Sequence, residues 1–310
     1  MKKILFIVLT FMFISGCSSG SGPSSSISSA DAHKGSDGII MEFMDNAPSD
    51  EIYEGSEFYA STLVQNKGAF DVKKGYLVLG VEQGYISAEN NGEMYNLNGK
   101  SISNILGGQE VFEFKLRSGK IDKQSEQHKT NIFLTTCYEY QTDAGADVCI
   151  DPDFYGMNPL QKACEVKDSS FKDQGAPVAV TKIEQGMLQE GNLVKPEFII
   201  YVQNKGKGAV IDSSKVKDVC SSTGLDYKAW NTIYVEAYLF GKQLDCKPKS
   251  DGSKRGYIRL KGEEDFVKCV DEEGIERGGP AYTTPLKIVL NYGYAETISK
   301  EIVVKREVGY

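Results

Sequence analysis

Hydrophobic and polar residues alternate along most of the chain, in short segments that are separated by Gly, Asn and Asp. In the segment that begins at Glu57, residues 58, 60, 62 and 64 form one face and the residues between them form the other. Phe112, Phe114 and Leu116 alternate in the same way with more polar neighbours. Because successive side chains of a strand point to opposite faces, this pattern predicts half-buried β-strands and an all-β protein.

One pentapeptide, VQNKG, occurs twice, at residues 64–68 and 202–206. Each copy closes an apolar segment that is led by Glu-Phe. Asn can bond its own backbone in a turn, and Gly can supply a positive φ. We therefore predict that each copy is a corner between a strand and a turn.

The two halves of the sequence correspond beyond this pentapeptide. CYEYQT in the first half aligns with NYGYAET in the second, so that Tyr138 corresponds to Tyr292 and Tyr140 to Tyr294. Each half contains about seven strand-like segments, the number in an immunoglobulin-type sandwich. This repetition predicts two domains.

We predict two tandem immunoglobulin-like β-sandwich domains, at residues 38–168 and 169–310. The second copy is longer than the first, and its additional residues are expected mainly at 212–231. Because each copy carries a full set of strand segments, each is expected to fold alone.

The order of the motifs resembles that of the CARDB-type immunoglobulin-like modules of prokaryotic cell-surface proteins. The shared features are a glycine or acidic lead, a strand, Val-x-Asn-x-Gly, a second strand, and then Gly-x-x-x-x-Phe-x-Phe, which begins here at Gly107. The resemblance covers residues 38–150 and 177–305. It implies non-catalytic modules that act in adhesion or as spacers.

The N-terminal residues have the pattern of a targeting segment. Two lysines precede an apolar run from Ile4 to Ile14, which is too short to cross a bilayer and is typical of a secretory signal. ISGC, ending at Cys17, resembles the bacterial lipobox, which implies cleavage after a signal peptide of residues 1–16 and lipidation of Cys17. The alternative is an ordinary signal peptide with a chance cysteine. Residues 17–37, rich in Ser and Gly, are predicted to form a flexible tether.

The net charge restricts the class of partner. The formal net charge is −8, whereas nucleic-acid binding requires a basic surface, so no nucleic-acid partner is expected. We expect attachment to a membrane through the N-terminal lipid, at the cell surface or in the periplasm. The partner is expected to be another envelope protein or a glycan.

Six cysteines besides Cys17 are predicted to form disulfides, because an even number outside the cytoplasm favours a disulfide set. Cys137 and Cys149 flank a segment with turn residues at Asp143–Gly145, so they are predicted to close a hairpin. Six cysteines allow fifteen pairings, so spacing alone does not decide the other four. The further pairs that we expect are Cys246–Cys269 and Cys164–Cys220.

Motifs for catalysis or metal binding are not evident. His33 lies in the predicted tether and His128 in a polar stretch, and neither neighbours a nucleophile or a ligand pattern. The metalloprotease, P-loop and dinucleotide motifs are absent from the sequence. We therefore expect no catalytic residue, metal or cofactor. The acidic loops at 151–153, 263–265 and 271–276 offer oxygen atoms for calcium, but solvated loop charge is the favoured interpretation.

The stretch from Gly84 to Lys100 carries Tyr85 and Tyr95 among polar residues, and such loops suit contacts with proteins or sugars. An ordinary sandwich loop is the alternative. The sequence as a whole predicts a lipid-anchored extracytoplasmic protein for binding, adhesion or envelope assembly. The alternatives are an enzyme, or an accessory subunit of one, with a site at the domain junction, and a passive spacer.

Overall fold

The computed structural model of the protein describes residues 32–156, 162–221 and 227–307. Within these ranges the chain forms nineteen strands in three mostly antiparallel sheets, together with one short α-helix, α1 (Val216–Cys220). In chain order the strands are β1 (Ile39–Phe43), β2 (Glu51–Tyr53), β3 (Glu57–Asn66), β4 (Val72–Gly80), β5 (Ile86–Ala88), β6 (Gly92–Leu97), β7 (Gln109–Ser118), β8 (Gln127–Ile150), β9 (Ser169–Ser170), β10 (Val178–Glu190), β11 (Leu193–Asn204), β12 (Ala209–Ile211), β13 (Thr232–Leu239), β14 (Lys242–Gln243), β15 (Asp245–Lys247), β16 (Gly256–Arg259), β17 (Glu264–Val270), β18 (Ile275–Glu276) and β19 (Tyr282–Lys305). The predicted all-β sandwich class is confirmed.

Two smaller sheets pack on one face of a large central sheet. The first sheet has the order β1-β3-β7-β5, and the second has the order β15-β17-β11-β10-β9, with β18 also paired to β11. The central sheet has the order β14-β13-β19-β8-β4-β6, with β2 and β12 also paired to β19 and β16 to β13. The alternation predicted for β3 and β7 is confirmed by the burial of Ala60, Thr62, Val64, Phe112, Phe114 and Leu116.

The two longest strands, β8 and β19, lie side by side in the middle of the central sheet. Each has 24 residues, and they pair antiparallel over their full length. In this register Tyr138 lies opposite Tyr294, and Tyr140 lies opposite Tyr292. In the repeat, however, Tyr138 corresponds to Tyr292 and Tyr140 to Tyr294. A rotation of half a turn between the two tyrosine pairs exchanges these corresponding residues, so an approximate twofold axis relates the copies there.

Each long strand belongs to both copies of the repeat. Residues 133–138 of β8 pair with β4 of the first copy, whereas residues 139–150 continue past the axis beside the first half of β19. The end of β19 in turn pairs with β2 of the first copy. A division at residue 168 therefore cuts across a shared sheet instead of separating two self-contained sandwiches.

The hairpin predicted around Asp143–Gly145 is wrong, because β8 is one uninterrupted strand. Ala144 and Gly145 lie opposite Ile288 and Lys287 of β19. The continuous ladder pairs the backbone of these residues, so the tertiary partner overrides the local turn preference.

The repeated pentapeptide joins a strand end to a long strand, as a corner. The side chain of Asn66 donates to the carbonyl oxygens of Phe70, at 2.8 Å, and Leu97, at 3.1 Å. Its Oδ1 accepts from the backbone N–H of Gly68, at 3.1 Å, and from the Tyr140 hydroxyl, at 3.3 Å. The strand-to-turn interpretation of VQNKG is therefore confirmed.

The second copy repeats this geometry with Asn204, whose Oδ1 accepts from Gly206 N–H and from the Tyr294 hydroxyl, both at 3.2 Å. The predicted role of the glycine is wrong, because neither Gly68 nor Gly206 has a positive φ. A Cβ atom at Gly68 would lie 1.8 Å from the Tyr140 hydroxyl, and one at Gly206 would lie 2.2 Å from that of Tyr294. Glycine is required because the tyrosine occupies the space of a side chain.

The insertion at 212–231 lies between β12 and β13, on the face of the central sheet that the smaller sheets leave uncovered, called here the outer face. It contains α1 and two 3-10 turns, Ser213–Lys215 and Tyr227–Ala229. In the second copy, two strands, β12 and β13, pair with β19. In the first copy, the single strand β4 takes the equivalent place beside β8. The insertion therefore interrupts the equivalent of a single strand.

Residues 32–37, the end of the predicted tether, pack against the folded chain. Ala32 is buried, Gly175 N–H donates to the Gly35 carbonyl at 3.0 Å, and the Lys100 ammonium donates to the Lys34 carbonyl at 2.6 Å. The rest of the tether, together with the predicted signal peptide and Cys17, lies outside the described residues.

The shared sheet predicts that residues 32–168 will not fold alone. The first copy would lose the C-terminal half of β19, which buries Ile302 and Val304 completely, and residues 139–150 would lose their strand partner. We expect circular dichroism of this fragment to show no cooperative melting transition. Co-expression with residues 169–310 should restore the transition, and cooperative melting of the isolated fragment would contradict the prediction.

The corner predicts that Tyr140→Phe will destabilise the protein. The substitution leaves Phe70 N–H and one bond of the buried Asn66 side chain without the hydroxyl partner, a loss of about 1–2 kcal/mol in the free energy of unfolding. Denaturant titration measures this change. Tyr59→Phe, at an exposed position of β3, is the matched control and should change stability by less than about 0.5 kcal/mol; equal effects would show that the corner bonds contribute nothing.

Candidate functional site

Three disulfides connect the six cysteines that follow Cys17. They are Cys137–Cys220, Cys149–Cys164 and Cys246–Cys269. The predicted Cys246–Cys269 pair is confirmed, and it links neighbouring strands β15 and β17. The predicted pairs Cys137–Cys149 and Cys164–Cys220 are wrong.

The error follows from the wrong hairpin. Cys137 and Cys149 lie on the same extended strand, where twelve residues span roughly 40 Å, whereas disulfide Cα atoms lie within about 7 Å of each other. Cys137 instead faces the outer side and reaches Cys220 in α1. This bond fastens the insertion to the central sheet, where Val216 is buried. Glycine is required at position 293, because a Cβ atom there would lie 2.5 Å from the Val216 side chain.

The two tyrosines that the sequence suggested for ligand contact are engaged inside the protein. Tyr95 is buried, and its hydroxyl lies 2.5 Å from that of Thr136. Tyr85 is half-buried, stacks on His128 with ring centres 3.5 Å apart, and donates to Asp122 at 3.1 Å. The predicted exposure of Tyr95 is wrong because the polar stretch around it contains a strand, β6, whose inward face includes this side chain.

Lysine side chains pair with carboxylates in two of the acidic loops. Asp151 lies 2.5 Å from the Lys162 ammonium, and Asp271 lies 2.7 Å from that of Lys242. The ammonium of Lys247, 3.1 Å from the Glu272 carboxylate, is the main cause of the lowered pKa of Glu272. Among the residues that the structure describes, no group of three or more His, Cys, Asp or Glu side chains is placed to hold a metal ion.

The junction between the copies is filled by the four tyrosines of the long strands. Their ring centres lie 5.5–6.5 Å apart in successive contacts. The Tyr138 hydroxyl accepts from Ile39 N–H at 3.0 Å, and the Tyr292 hydroxyl accepts from Val178 N–H at 3.3 Å. Burial raises the pKa of Tyr138 and of Tyr292 far above the usual range, so both hydroxyls stay protonated and hold β1 and β10.

A cleft of about 920 Å³ lies at the edge of the first copy. The end of β4, the short strand β5 and the backbone near Gly119 line it. Arg117 is the charged side chain of its lining. The cleft is therefore an opening between two sheets, lined mostly by small and uncharged residues.

A second cavity, of about 630 Å³, lies beside the insertion and is lined by both aromatic and charged side chains. We call it the aromatic groove and define it by Asp212, Tyr234, Tyr257, Arg259 and Phe266. Tyr234 lies on β13, Tyr257 and Arg259 on β16, and Phe266 on β17. Strands of two sheets and the insertion thus meet at one site.

Polar contacts hold the walls of the aromatic groove. The Tyr234 hydroxyl donates to Asp212 at 2.8 Å, and the Arg255 guanidinium lies 4.2 Å from the centre of the Tyr234 ring. Burial, followed by the hydrogen bond to Asp212, raises the pKa of Tyr234 to about 12. Arg259 lies 5.5 Å from the Tyr227 ring centre, and Phe266 is 51% exposed. The groove combines fixed aromatic walls with exposed aromatic surface and positive charge.

None of these groove residues was a candidate in the sequence analysis. Their alternating strand pattern is ordinary, and the meeting of β13, β16 and β17 is a tertiary feature. The signal that points to them is the insertion, which has no counterpart in the first copy and carries Tyr227 and Trp230 within a few residues.

Comparisons with known proteins identify no family for the chain. No protein-family model matches it. No curated protein matches it either.

Among solved structures, it is similar to the secreted serine protease VesC from Vibrio cholerae, at 8% identity and a TM-score of 0.22, over 87% of this chain and 52% of that one. It thus spans about half the length of VesC. It is also similar to the YadV chaperone, at 9% identity and a TM-score of 0.20, over 86% of this chain and 99% of that one. The CupB6 tip adhesin from Pseudomonas aeruginosa follows, at 11% identity and a TM-score of 0.16, over 88% and 99%. Scores this low carry no argument about function.

Proposed function

We propose that this chain is a lipid-anchored, extracytoplasmic, non-catalytic protein that binds another envelope protein through the aromatic groove. The observation that carries the proposal is the groove itself, where Tyr, Phe and Arg side chains converge beside the insertion. Aromatic residues and arginine are enriched in the energetically dominant parts of protein interfaces. A glycan, which also stacks on aromatic rings, is the alternative ligand.

The disulfides support an extracytoplasmic location. Three bonds connect six cysteines, and such sets persist in oxidising compartments. The lipobox-like ISGC sequence supports an anchor at Cys17.

No helix in the described part of the chain is long and apolar enough to cross a membrane.

The packing of the junction supports a non-catalytic role over the alternative of an enzyme with its site there. Four tyrosine rings occupy this position, and their hydroxyls bond to backbone N–H groups or to Asn and Thr side chains. Hydroxyls that are protonated and occupied in this way organise the fold. The passive spacer is the remaining alternative, and the groove variants below separate it from a binding role.

Substitution of Cys17, the residue proposed to carry the lipid, should release the protein from membranes. In Cys17→Ser no thioether to lipid can form, so the chain loses the acyl chains that give firm attachment. Fractionation with carbonate washing should show the wild type in the membrane pellet and the variant extracted to a greater extent. Identical fractionation of both proteins would contradict lipid anchoring.

Loss of the exposed Phe266 ring should weaken partner capture. Phe266→Ala removes a ring that is 51% exposed in the groove, and an interface residue of this kind contributes about 2 kcal/mol or more, which is at least tenfold in affinity. Full-length tagged protein in native membranes, crosslinked and purified, shows by mass spectrometry which envelope proteins it captures. Capture should fall at least about tenfold in Phe266→Ala.

Phe240→Ala is the matched control, because Phe240 is 81% exposed but lies outside the groove. Both variants should melt like the wild type. Capture that is unchanged in Phe266→Ala, or equally reduced in Phe240→Ala, would contradict the groove as the binding site. Loss of binding to purified envelope glycan, with protein capture unchanged, would identify a glycan as the ligand.

A further inference from the structure

The loop between β6 and β7, residues 98–108, exposes three large aliphatic side chains within five residues. Ile102 is 60% exposed, Ile105 is 46% exposed and Leu106 is 67% exposed. Single exposed apolar residues are common on protein surfaces, whereas a contiguous group indicates a contact site. We call residues 98–108 the aliphatic loop.

The aliphatic loop is internally fixed, so these side chains are displayed by a defined backbone. Ser101 and Asn104 bond to each other through both backbone N–H groups, at 2.8 and 3.2 Å. The Gln65 side chain donates to the Leu106 carbonyl at 2.8 Å. Gly99 N–H donates to the Asp71 carboxylate at 2.7 Å. The apolar residues therefore project from an ordered turn.

The base of the loop contacts the chain near the start of the described residues. The Lys100 ammonium donates to the Lys34 carbonyl at 2.6 Å, and Lys100 N–H donates to the Gly68 carbonyl at 2.7 Å. Lys34 follows Ala32 by two residues, and Ala32 lies fifteen positions after Cys17. Even a fully extended chain of that length reaches only about 50 Å. A lipid at Cys17 would therefore keep the aliphatic loop near the bilayer.

Lys67 and Lys100 lie at the base of the loop, together with Asp37 and Asp71. Lys67 lies close enough to Lys100 to lower its pKa, an effect that is smaller than that of burial and is opposed by Asp37. The backbone carbonyl of Lys34 accepts from the Lys100 ammonium, so the chain at Lys34 also passes the base of the loop. Basic residues behind an apolar tip match the surface of a membrane, which is anionic at the headgroups and apolar below them.

We propose that the aliphatic loop inserts Ile102, Ile105 and Leu106 into an anionic lipid surface and fixes the orientation of the protein on the membrane. This inference rests on the lipid anchor of the proposed function for its physiological setting. The loop contact is nevertheless a separate property of the folded chain, so each can fail without the other.

Fluorescence quenching by brominated lipids tests the insertion. The full-length protein with Trp230→Phe is reconstituted into vesicles of phosphatidylcholine with phosphatidylglycerol, and Ile105→Trp supplies the sole tryptophan. Brominated acyl chains should lower its emission at least about twofold, as expected for a side chain within the interfacial region. Phe240→Trp in the same background is the control and should keep its emission, because Phe240 lies in the β13–β14 connection of the second copy.

A charge variant tests the contribution of the lysines. Lys67→Glu, combined with Ile105→Trp and Trp230→Phe, should reduce the quenching on vesicles that contain phosphatidylglycerol. On vesicles of phosphatidylcholine alone it should have a smaller effect, because the electrostatic attraction is absent there. Equal effects on both kinds of vesicle would overturn the role of the basic residues.

The outcomes separate the loop from the anchor. Quenching at 105 that equals the quenching at 240, in protein that fractionates with membranes, overturns the loop proposal and leaves the anchor intact. If the protein proves soluble on fractionation, the lipid anchor is contradicted, and the loop is tested by adding vesicles in excess. Quenching at position 105 but not at position 240 would then support insertion of the aliphatic loop. A third outcome is that brominated lipids do not quench the tryptophan at position 105, while its emission shifts to the blue only after envelope proteins are added. This outcome would overturn the membrane contact and indicate that the loop binds a protein.

Discussion

The pairing of β8 with β19 is the constraint on which the rest of the structure depends. Each strand has 24 residues, and strands of both copies pair along their length, β4 and β2 from the first copy and β12 and β13 from the second. The antiparallel register places the four tyrosines together, and their hydroxyls reach β1, β10 and the VQNKG corner of each copy. Buried polar groups require partners, so the corners, the junction and the long ladder stabilise one another.

The sequence predicted the parts of this arrangement that depend on local pattern. Alternation identified β3 and β7, and the repeat identified which tyrosines correspond. The partner of each strand was beyond that pattern, because Asp143–Gly145 has the composition of a turn and only the ladder with β19 keeps it extended. The wrong pairing of Cys137 followed directly, since its true partner depends on how the insertion folds back. Tyr95 was misplaced for a related reason: polar neighbours outnumber the buried positions of a short edge strand.

The two copies share a scaffold, but their differences carry the candidate sites. In the first copy β4 is continuous, and the loop after β6 is extended by its apolar turn. In the second copy the insertion divides the equivalent strand, and Cys220 fastens it to Cys137 of the first copy. A disulfide from the insertion to the shared strand restricts the insertion without altering the repeat itself. The two candidate sites therefore lie in the parts that differ between the copies. The repeat in the sequence indicates the shared strands and corners, so it does not point to these sites.

The geometry of the central sheet also separates the two proposed contacts. Adjacent side chains of a strand point to opposite faces, so Tyr138 and Cys137 mark the two sides of the sheet. Tyr138 contacts the backbone at Ile39, close to residues 32–37 and the aliphatic loop, whereas Cys137 contacts the insertion whose Asp212 forms a wall of the aromatic groove. The aliphatic loop belongs to the first copy, whereas the groove lies in the second copy, where β13 and β16 of the central sheet meet β17 of the second sheet. A partner held in the groove would therefore contact strands of one copy while the loop of the other copy meets the lipid.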